Sequence, residues 1–215
     1  MNEVNTRDRI MKAAHELFYQ YGIRSITMDD IAKHLSISKK TIYQFFEEKD
    51  QIVGACCSGD LKDHGCRMEE ITKNSKDAIH EMIECMKYLG EIFSAMNPNL
   101  FYDLQKFHPD SWKIFRNFKY QNIMKMVEDN LRRGIKEELY RPEINVDVMC
   151  KFRLESIMVP FNVSVFPPGK YNLASLSEEI IQHFIYGLAT IKGHKLIQKY
   201  NQQRQKNLNH EESKK

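Results

Sequence analysis

The chain has 215 residues, of which 42% are hydrophobic and 28% are charged, with 9 glycines and 6 prolines. This composition excludes collagen-like and disordered proteins and indicates a globular chain of one large or two small domains. The formal net charge is +3, and residues 192–215 alone contribute +5, from seven Lys and Arg against two Glu. The remaining residues therefore sum to −2, so the overall charge is weak evidence for nucleic-acid binding.

Two features of the sequence bear on location. No apolar run approaches the roughly 18 residues needed to cross a bilayer. The first residues, MNEVNTRDR, contain no apolar segment of the kind found in secretory signals. We therefore expect a cytoplasmic protein that does not contact a membrane. The five cysteines are odd in number and form no C-x-x-C pair, so we expect small buried side chains rather than disulfides or a metal site.

The hydrophobic pattern is helical throughout, and no sustained alternation with period two predicts a strand. We therefore predict an all-α fold. In the first helix, apolar residues recur at helical spacing, and Gly22 then ends the helix in a left-handed conformation. The residues of this apolar face are Ile10, Ala13, Ala14, Leu17, Phe18 and Tyr21.

Two short helices follow, each beginning with the same signal. Thr27 is placed to cap the first of them, with Asp30 three residues later. Ser38 is placed to cap the second, and only residues 34–37 separate the two helices. Such a short connection between two capped helices predicts a helix-turn-helix.

A longer helix is predicted from Lys49 to about Thr72, and one stripe of it is formed by Val53, Cys57, Leu61, His64, Met68 and Ile71. Its interior contains Gly54, Gly59 and Gly65, each of which costs a helix about 1 kcal/mol relative to alanine. Two interpretations are open: the glycines allow close packing on a neighbouring helix, or they keep the helix weak because it has to move.

The remaining pattern predicts further helices and a terminal segment. One helix begins near Asn74 or Ser75, and a short one lies between Pro98 and Pro109. A long helix runs from about Asp110 to Arg133 and ends at Gly134. Another helix spans Asp147 to Pro160, and the last is capped by Ser175 or Ser177 and reaches Ile191. From Gly193 the chain is polar, which predicts a frayed helix end followed by disorder.

The segment from Arg9 to Ile52 resembles the DNA-binding domain of the TetR family of transcriptional regulators. The matching features are Ala13-Ala14, Leu17-Phe18, Tyr21-Gly22, Thr27, Ile31-Ala32, Ser38, Ile42-Tyr43, Phe46 and Lys49. The predicted helices number about nine, and a polar basic tail is predicted at residues 193–215. The resemblance implies a helix-turn-helix domain at residues 1–50 and an effector-binding and dimerisation domain at residues 51–192.

The segment departs from the family pattern at three points. Ser36 stands where the family commonly has glycine in the turn, and it must tolerate a conformation near left-handed. Glu48 stands where Ser or Asn usually caps the fourth helix. Thr27 to Asp50 contains four lysines against five acidic residues, so it is not a basic patch.

The second helix of a helix-turn-helix reads base edges with its first residues, to which Lys, Gln and Thr are suited. By resemblance, Thr27, Tyr43 and Lys49 contact phosphates. The candidate DNA-binding residues are Thr27, Ser38, Lys39, Lys40, Thr41, Tyr43, Gln44 and Lys49. One such helix per chain implies a homodimer on a near-palindromic double-stranded operator.

The resemblance also implies a pocket for a small hydrophobic or amphipathic effector in the C-terminal domain. Methionine and aromatic residues suit an adaptable pocket, and they equally suit an ordinary core. The candidate pocket residues are Met82, Met86, Phe93, Phe101, Trp112, Phe115, Tyr120 and Met124. The candidate dimer residues are Phe184, Gly187 and Leu188.

No motif in the sequence predicts catalysis. His80, Glu81 and Glu84 come near a zinc-protease pattern but lack its second histidine, and we expect them on a solvated helix face. We therefore expect no enzyme activity, catalytic residue, metal or cofactor. The favoured function is a ligand-responsive repressor, and the alternative is a dimeric DNA-binding protein without a small-molecule effector, acting structurally or signalled by a protein or by oxidation.

Overall fold

The computed structural model describes residues 3–212, with side chains described for residues 5–206. Within that range the chain forms helices and no strand, which confirms the all-α prediction. The helices are α1 (Glu3–Tyr21), α2 (Met28–Leu35), α3 (Lys39–Tyr43), α4 (Lys49–Asn74), α5 (Ala78–Ala95), α6 (Leu100–Phe107), α7 (Pro109–Phe118), α8 (Met124–Lys136), α9 (Val146–Ser156), α10 (Leu173–Leu188) and α11 (Ile191–Glu212). None of these helices is both long and apolar enough to cross a membrane.

The three N-terminal helices form where the sequence predicts them. Gly22 adopts φ +83° and its N–H donates to the Phe18 carbonyl oxygen at 2.9 Å, which ends α1. Thr27 and Asp30 form a complete capping box at the start of α2. Tyr21, expected on the buried face of α1, is exposed because the helix ends there.

The turn between α2 and α3 has the backbone that the sequence predicts. Ser36 lies in the left-handed region at φ 55°, ψ 40°, although it has a side chain. Ser38 then caps α3 by accepting from the Thr41 N–H at 3.1 Å. The helix-turn-helix is therefore a real structural unit, and Ser36 holds its turn at a small conformational cost.

One hydrophobic core joins these helices to the rest of the chain. It includes Ile10, Phe18 and Ile42 of the N-terminal helices together with Phe93 and Phe115 from α5 and α7. Hydrogen bonds cross the same boundary: the Asn97 N–H donates to the Tyr19 carbonyl oxygen at 2.7 Å, and the Arg24 N–H donates to Asp103 at 2.9 Å. The helix-turn-helix is thus packed onto the C-terminal helices as well as linked to them through α4.

A second core lies at the other end of the molecule, where α10 packs along α5. It contains Phe184, Leu188 and the fully buried Ile197 of α11. The segment expected to be a polar tail from residue 193 therefore forms most of α11 in the described residues. The segment is rich in Gln, Asn and Lys, and for that reason its short apolar stripe was not predicted. In that stripe the partly buried Leu196 and Tyr200 flank Ile197.

The predicted long helix is present without a break and contains a π-helical turn. A π-helical turn, Lys119–Ile123, joins α7 to α8, and α8 continues past Gly134 to Lys136. Gly134 is needed for packing and does not end the helix: a Cβ there would lie 2.0 Å from the buried Tyr140 ring. The left-handed residue that ends the helix is Glu138, at φ 60°. Within the described residues the chain forms eleven helices where about nine are predicted, because the long helix is counted as α7 and α8 on either side of the π-helical turn and because α11 is separate.

Two predicted helix starts are wrong. The cap of α5 is Asp77, whose carboxylate accepts from the His80 N–H at 2.8 Å, because α4 extends through Asn74. The cap of α10 is Asn172, which accepts from the Ser175 N–H at 2.9 Å. Ser177 lies inside the helix and is buried. Each segment contains several residues that suit a cap, and the position of the preceding turn decides among them.

Candidate functional site

Four residues at the exposed end of the helix-turn-helix have side chains directed to solvent. Ser38, Lys40, Tyr43 and Gln44 are all exposed, and the Tyr43 ring, at 46% exposure, is not a core residue. Lys40 has no hydrogen-bonding or ion-pair partner among the described residues. Thr41 is partly buried, and its hydroxyl bonds to the Ser38 hydroxyl at 2.8 Å. Within the described residues, α3 and its flanking residues thus present Lys40 as an unpaired cation beside the exposed side chains of Tyr43 and Gln44.

Three other candidates are engaged within the protein. Lys39 Nζ pairs with Asp29 at 2.8 Å, and this hydrogen bond raises the pKa of Lys39. The Thr27 hydroxyl donates to Asp30 at 2.6 Å. Lys49 Nζ donates to the Ile23 carbonyl oxygen, and its partial burial lowers the pKa of its ammonium group. Replacing Lys49 would therefore disturb the packing of α4 against the N-terminal helices as well as any phosphate contact.

Three acidic residues of the helix-turn-helix segment are engaged by other side chains of the protein. Asp29 is paired with Lys39, and Asp30 accepts from Thr27. On the other side of the unit, Asp50 pairs with His108 of the α6–α7 junction at 2.9 Å. A count of charges along the sequence therefore does not show which side chains are left to meet DNA, since Asp29 also engages Lys39 of α3.

Below the helix-turn-helix, the structure contains a partly open cavity of about 190 Å³. Its walls come from both parts of the chain, and they include His15, Phe18 and Tyr19 of α1. The stripe of α4 that the sequence predicts supplies Val53, Cys57, Leu61, His64 and Met68. Further walls come from α5, α6, α7, α8, α9 and α10.

The cavity includes half of the candidate pocket residues. Met82, Phe93, Phe101 and Phe115 line it. The other four residues do not line it. Met86 is buried in the second core, and Met124 packs against that core. Trp112 stacks on Phe115, and Tyr120 is exposed and donates its hydroxyl hydrogen bond to Glu155. Residue type alone could not separate the wall of a cavity from its surroundings, because both are built from methionine and aromatic side chains.

Several polar residues that are not among the candidate pocket residues also line the cavity. On the α1–α4 side, His15 pairs with Asp60 at 3.0 Å, and burial raises the pKa of the neighbouring Tyr19. Burial lowers the pKa of His64, which bonds to the Tyr88 hydroxyl at 2.5 Å. Of these residues only His64 belongs to a predicted apolar stripe, that of α4, whereas His15, Tyr19 and Asp60 lie beside the stripes of α1 and α4, where helical spacing does not mark them.

Glu81 is another lining residue, and its expected position on a solvated face is wrong. The side chain is buried, accepts from the Thr72 hydroxyl at 3.1 Å and pairs with Arg133 at 3.3 Å. The end of α4 and the helix α8 cover that side of α5, which the periodicity of α5 alone could not indicate. Glu81 therefore holds three helices together.

The candidate dimer residues occupy different positions. Phe184 and Leu188 are buried within the chain itself, at 4% and 1% exposure, so they are core residues. Gly187 is exposed with open space around it. On α9, by contrast, Phe152 is 52% exposed and Val148 is also exposed. The apolar spacing of α10 therefore predicted the face that packs on α5 within the chain. The exposed apolar side chains lie instead on the outward face of α9.

Comparisons with known proteins agree with this architecture. Residues 10–56 match the family model of bacterial regulatory proteins of the tetR family. An HTH-type transcriptional regulator of Staphylococcus aureus (strain USA300) is 33% identical over 164 residues, which cover 74% of this chain and 80% of the relative.

Two solved structures share the fold. A transcriptional regulator from Saccharomonospora viridis in complex with choline has a TM-score of 0.69 at 16% identity, over 87% of this chain and 99% of that one. The regulator FadR from Bacillus subtilis in complex with stearoyl-CoA has a TM-score of 0.63 at 18% identity, over 84% of this chain and 98% of that one. With the helix-turn-helix, the helical C-terminal region and the staphylococcal relative taken together, the chain belongs to the TetR family of DNA-binding transcriptional regulators and is not an enzyme.

Proposed function

We propose that this regulator is a ligand-responsive repressor. As a homodimer it binds a near-palindromic operator through α3. A hydrophobic or amphipathic small molecule that binds in the cavity lowers the affinity of the protein for that operator. The base-reading residues are Lys40 and Gln44, and Tyr43 contacts phosphate. Lys39 and Thr27 contact DNA only when their side chains leave their partners, Asp29 and Asp30.

The observation that carries this proposal is the position of the cavity. Its walls include His15, Phe18 and Tyr19 of α1, the helix on which the helix-turn-helix is packed, and the stripe of α4 that leads into the C-terminal helices. A molecule that fills this space contacts both parts of the chain at once. It can therefore favour one arrangement of the reading helix over another, which is the differential interaction that coupling requires.

The walls of the cavity suit an apolar ligand because most of them are aliphatic, aromatic or sulfur-containing side chains. Two proteins of the same fold bind ligands with a long acyl chain or a quaternary ammonium group, as their complexes with stearoyl-CoA and choline record. Ligands of such different chemistry on one fold support the presence of an effector without identifying it.

The homodimer rests on α9 and α10. Phe152 and Val148 of α9 expose apolar surface, and Gly187 of α10 offers close approach of a second backbone. A near-palindromic operator requires a two-fold axis that presents both copies of α3 to the same face of the DNA.

Oxidation has less support as the signal. Burial raises the pKa of Cys56, Cys57 and Cys85 to about 12, 11 and 12, so these thiols stay protonated at neutral pH and react slowly. The other two cysteines, Cys66 and Cys150, are also free thiols.

The test is a mobility-shift titration of the full chain on DNA that flanks its own gene, with and without a panel of lipophilic compounds. Compounds are first chosen by their ability to raise the thermal midpoint of the protein, since a ligand of the folded state stabilises it by mass action. We expect at least one such compound to weaken operator binding fivefold or more. Stabilising compounds that leave operator affinity unchanged would contradict the proposed response.

A further inference from the structure

Arg153, in the last turn of α9, is a charged residue on the wall of the cavity without a charged partner. The residue is 6% exposed, and no carboxylate pairs with it among the described residues. Its one hydrogen bond runs from Nη1 to the Ser156 hydroxyl oxygen at 3.2 Å. A buried guanidinium that lacks a counterion is unfavourable, because desolvation of the charge is left uncompensated.

The other polar residues on the wall are satisfied by the protein. Asp60 is paired with His15 at 3.0 Å, and Glu81 is paired with Arg133 at 3.3 Å. His64 bonds to Tyr88 at 2.5 Å. Asn130 donates to the Ala78 carbonyl oxygen and accepts from the Tyr140 hydroxyl, at 3.0 and 3.1 Å. Arg153 is the exception in this set.

Among the residues that the structure describes, no carboxylate lies close to Arg153. The Phe184 ring lies 5.9 Å from its guanidinium carbon, which supplies a weak cation–π contact. Cys85 could act as a counterion only as a thiolate, and burial raises its pKa to about 12. Burial also lowers the pKa of Arg153 to about 10, which leaves the guanidinium charged at neutral pH.

The free part of the guanidinium has a specific shape. Nη1 is engaged by Ser156, while Nε and Nη2 make no hydrogen bond in the described part of the chain. These two atoms form one edge, with two parallel N–H groups at the spacing of the two oxygens of a carboxylate. The rest of the wall is apolar, and the volume of about 190 Å³ lies below the 300–1,000 Å³ common for drug-sized ligands.

We infer that the effector is an aliphatic carboxylate of short to medium chain length. Its carboxylate binds the Nε–Nη2 edge of Arg153, and its hydrocarbon chain fills the cavity toward Phe93 and Phe115. This inference rests on the proposed function, because it assigns the chemistry of the ligand to the same cavity. The carboxylate would supply the counterion that the chain itself leaves out.

Titration calorimetry of the full chain tests the inference with three probes of one chain length: octanoate, octanol and octylammonium. We expect octanoate to bind about tenfold or more tightly than octanol, since a charge-assisted bidentate pair is available only to the carboxylate. Octylammonium should bind most weakly, because its charge would face the guanidinium.

Two variants locate the effect. Arg153→Met should lose about tenfold or more in octanoate affinity while leaving octanol affinity unchanged, and Arg153→Lys should keep part of the preference for octanoate. Arg132→Met is the matched control, because Arg132 is exposed on α8 and pairs with Glu128, and it should change neither affinity. In the absence of ligand, Arg153→Met should melt at or above the wild-type temperature, because an apolar side chain replaces an uncompensated charge.

Equal binding of octanoate and octanol, or an unchanged octanoate affinity in Arg153→Met, would overturn the assignment of a carboxylate and leave the proposed effector cavity standing. A lower melting temperature of Arg153→Met without ligand would also overturn it, since the guanidinium would then be satisfied by the protein. If none of the probes binds, and no compound of the lipophilic panel stabilises the protein, the cavity and the inference fall together.

Discussion

At the scale of single residues, the DNA-binding surface is set by which side chains the protein itself engages. Lys39 and Lys40 are adjacent in sequence, yet Lys39 is held by Asp29 at 2.8 Å and Lys40 has no partner within the described residues. A free, exposed lysine at the start of a recognition helix can donate to guanine O6 and N7 without first breaking an ion pair. We therefore assign more of the sequence preference to Lys40.

Replacing Lys40 by alanine should reduce the ratio of specific to random DNA binding, by about 1–3 kcal/mol if one base contact is lost. Lys39→Ala should have a smaller effect, because Lys39 must first leave Asp29. Fluorescence anisotropy on operator and random duplexes measures both ratios. Lys62→Ala, an exposed lysine of α4, serves as the control. A ratio unaffected by Lys40→Ala would remove Lys40 from the base-reading set.

The residues that could be predicted from the sequence are those with local partners. The capping box of Thr27 and Asp30 and the left-handed Ser36 depend on residues within four positions, and both are confirmed. Phe184 and Arg153 depend on helices far away in sequence. Their burial is decided by how α9 and α10 pack, so an apolar pattern could mark Phe184 as buried but could not say against what.

At the scale of helices, glycines have opposite roles in α8 and α4. The Tyr140 ring rests on Gly134, and its hydroxyl is held by Asn130 at 3.1 Å. In α4, the added Cβ would meet only ordinary contacts at Gly54 and Gly65, and nothing within 4 Å at Gly59. Close packing therefore explains Gly134 and does not explain Gly59. This favours the second interpretation of the α4 glycines, in which they keep the helix weak.

Gly134→Ala should lower the free energy of unfolding by about 1–3 kcal/mol, because a methyl group would overlap a fixed and fully buried ring. Urea denaturation followed by circular dichroism measures the change. Gly90→Ala, in α5 with open space around it, should instead be neutral or stabilising. If Gly134→Ala is as stable as Gly90→Ala, then Tyr140 can move and the contact is not a constraint.

Gly59→Ala should stabilise the protein by up to about 1 kcal/mol and at the same time reduce its response to effector. The reason is that α4 is the helix that joins the helix-turn-helix to the C-terminal helices, and a stiffer α4 transmits less change in the position of α3. The measurement is operator affinity with and without effector. Gly90→Ala controls for added stability alone and should keep the full response. An equal response in both variants would show that α4 does not act as the flexible element.

At the scale of the whole molecule, one core and one cavity connect the two parts of the chain. The domain boundary that the sequence predicts at residue 50 stays a prediction. The cavity could be foreseen only in part, since the stripe of α4 marked one wall while the contribution of α1 depends on how the helix-turn-helix docks. The same packing places Phe184 in the core and leaves Phe152 exposed.

Phe152→Asp should therefore abolish the homodimer and leave a folded monomer, because it puts a charge on an exposed apolar face. Phe184→Asp should unfold the chain, because it buries an unpaired carboxylate. Sedimentation velocity with circular dichroism separates the two outcomes. Val165→Asp, an exposed apolar residue outside α9 and α10, is the control. A dimer that survives Phe152→Asp would place the interface elsewhere.

The most direct test of the account is selection of bound sequences from a pool of random duplex DNA by the full-length protein. We predict enrichment of two inverted half-sites whose centres lie about 10 base pairs, or a multiple of one helical turn, apart, because two copies of α3 related by a two-fold axis read the DNA together. Enrichment of a single half-site without its inverted copy, or no enrichment over the starting pool, would contradict the account.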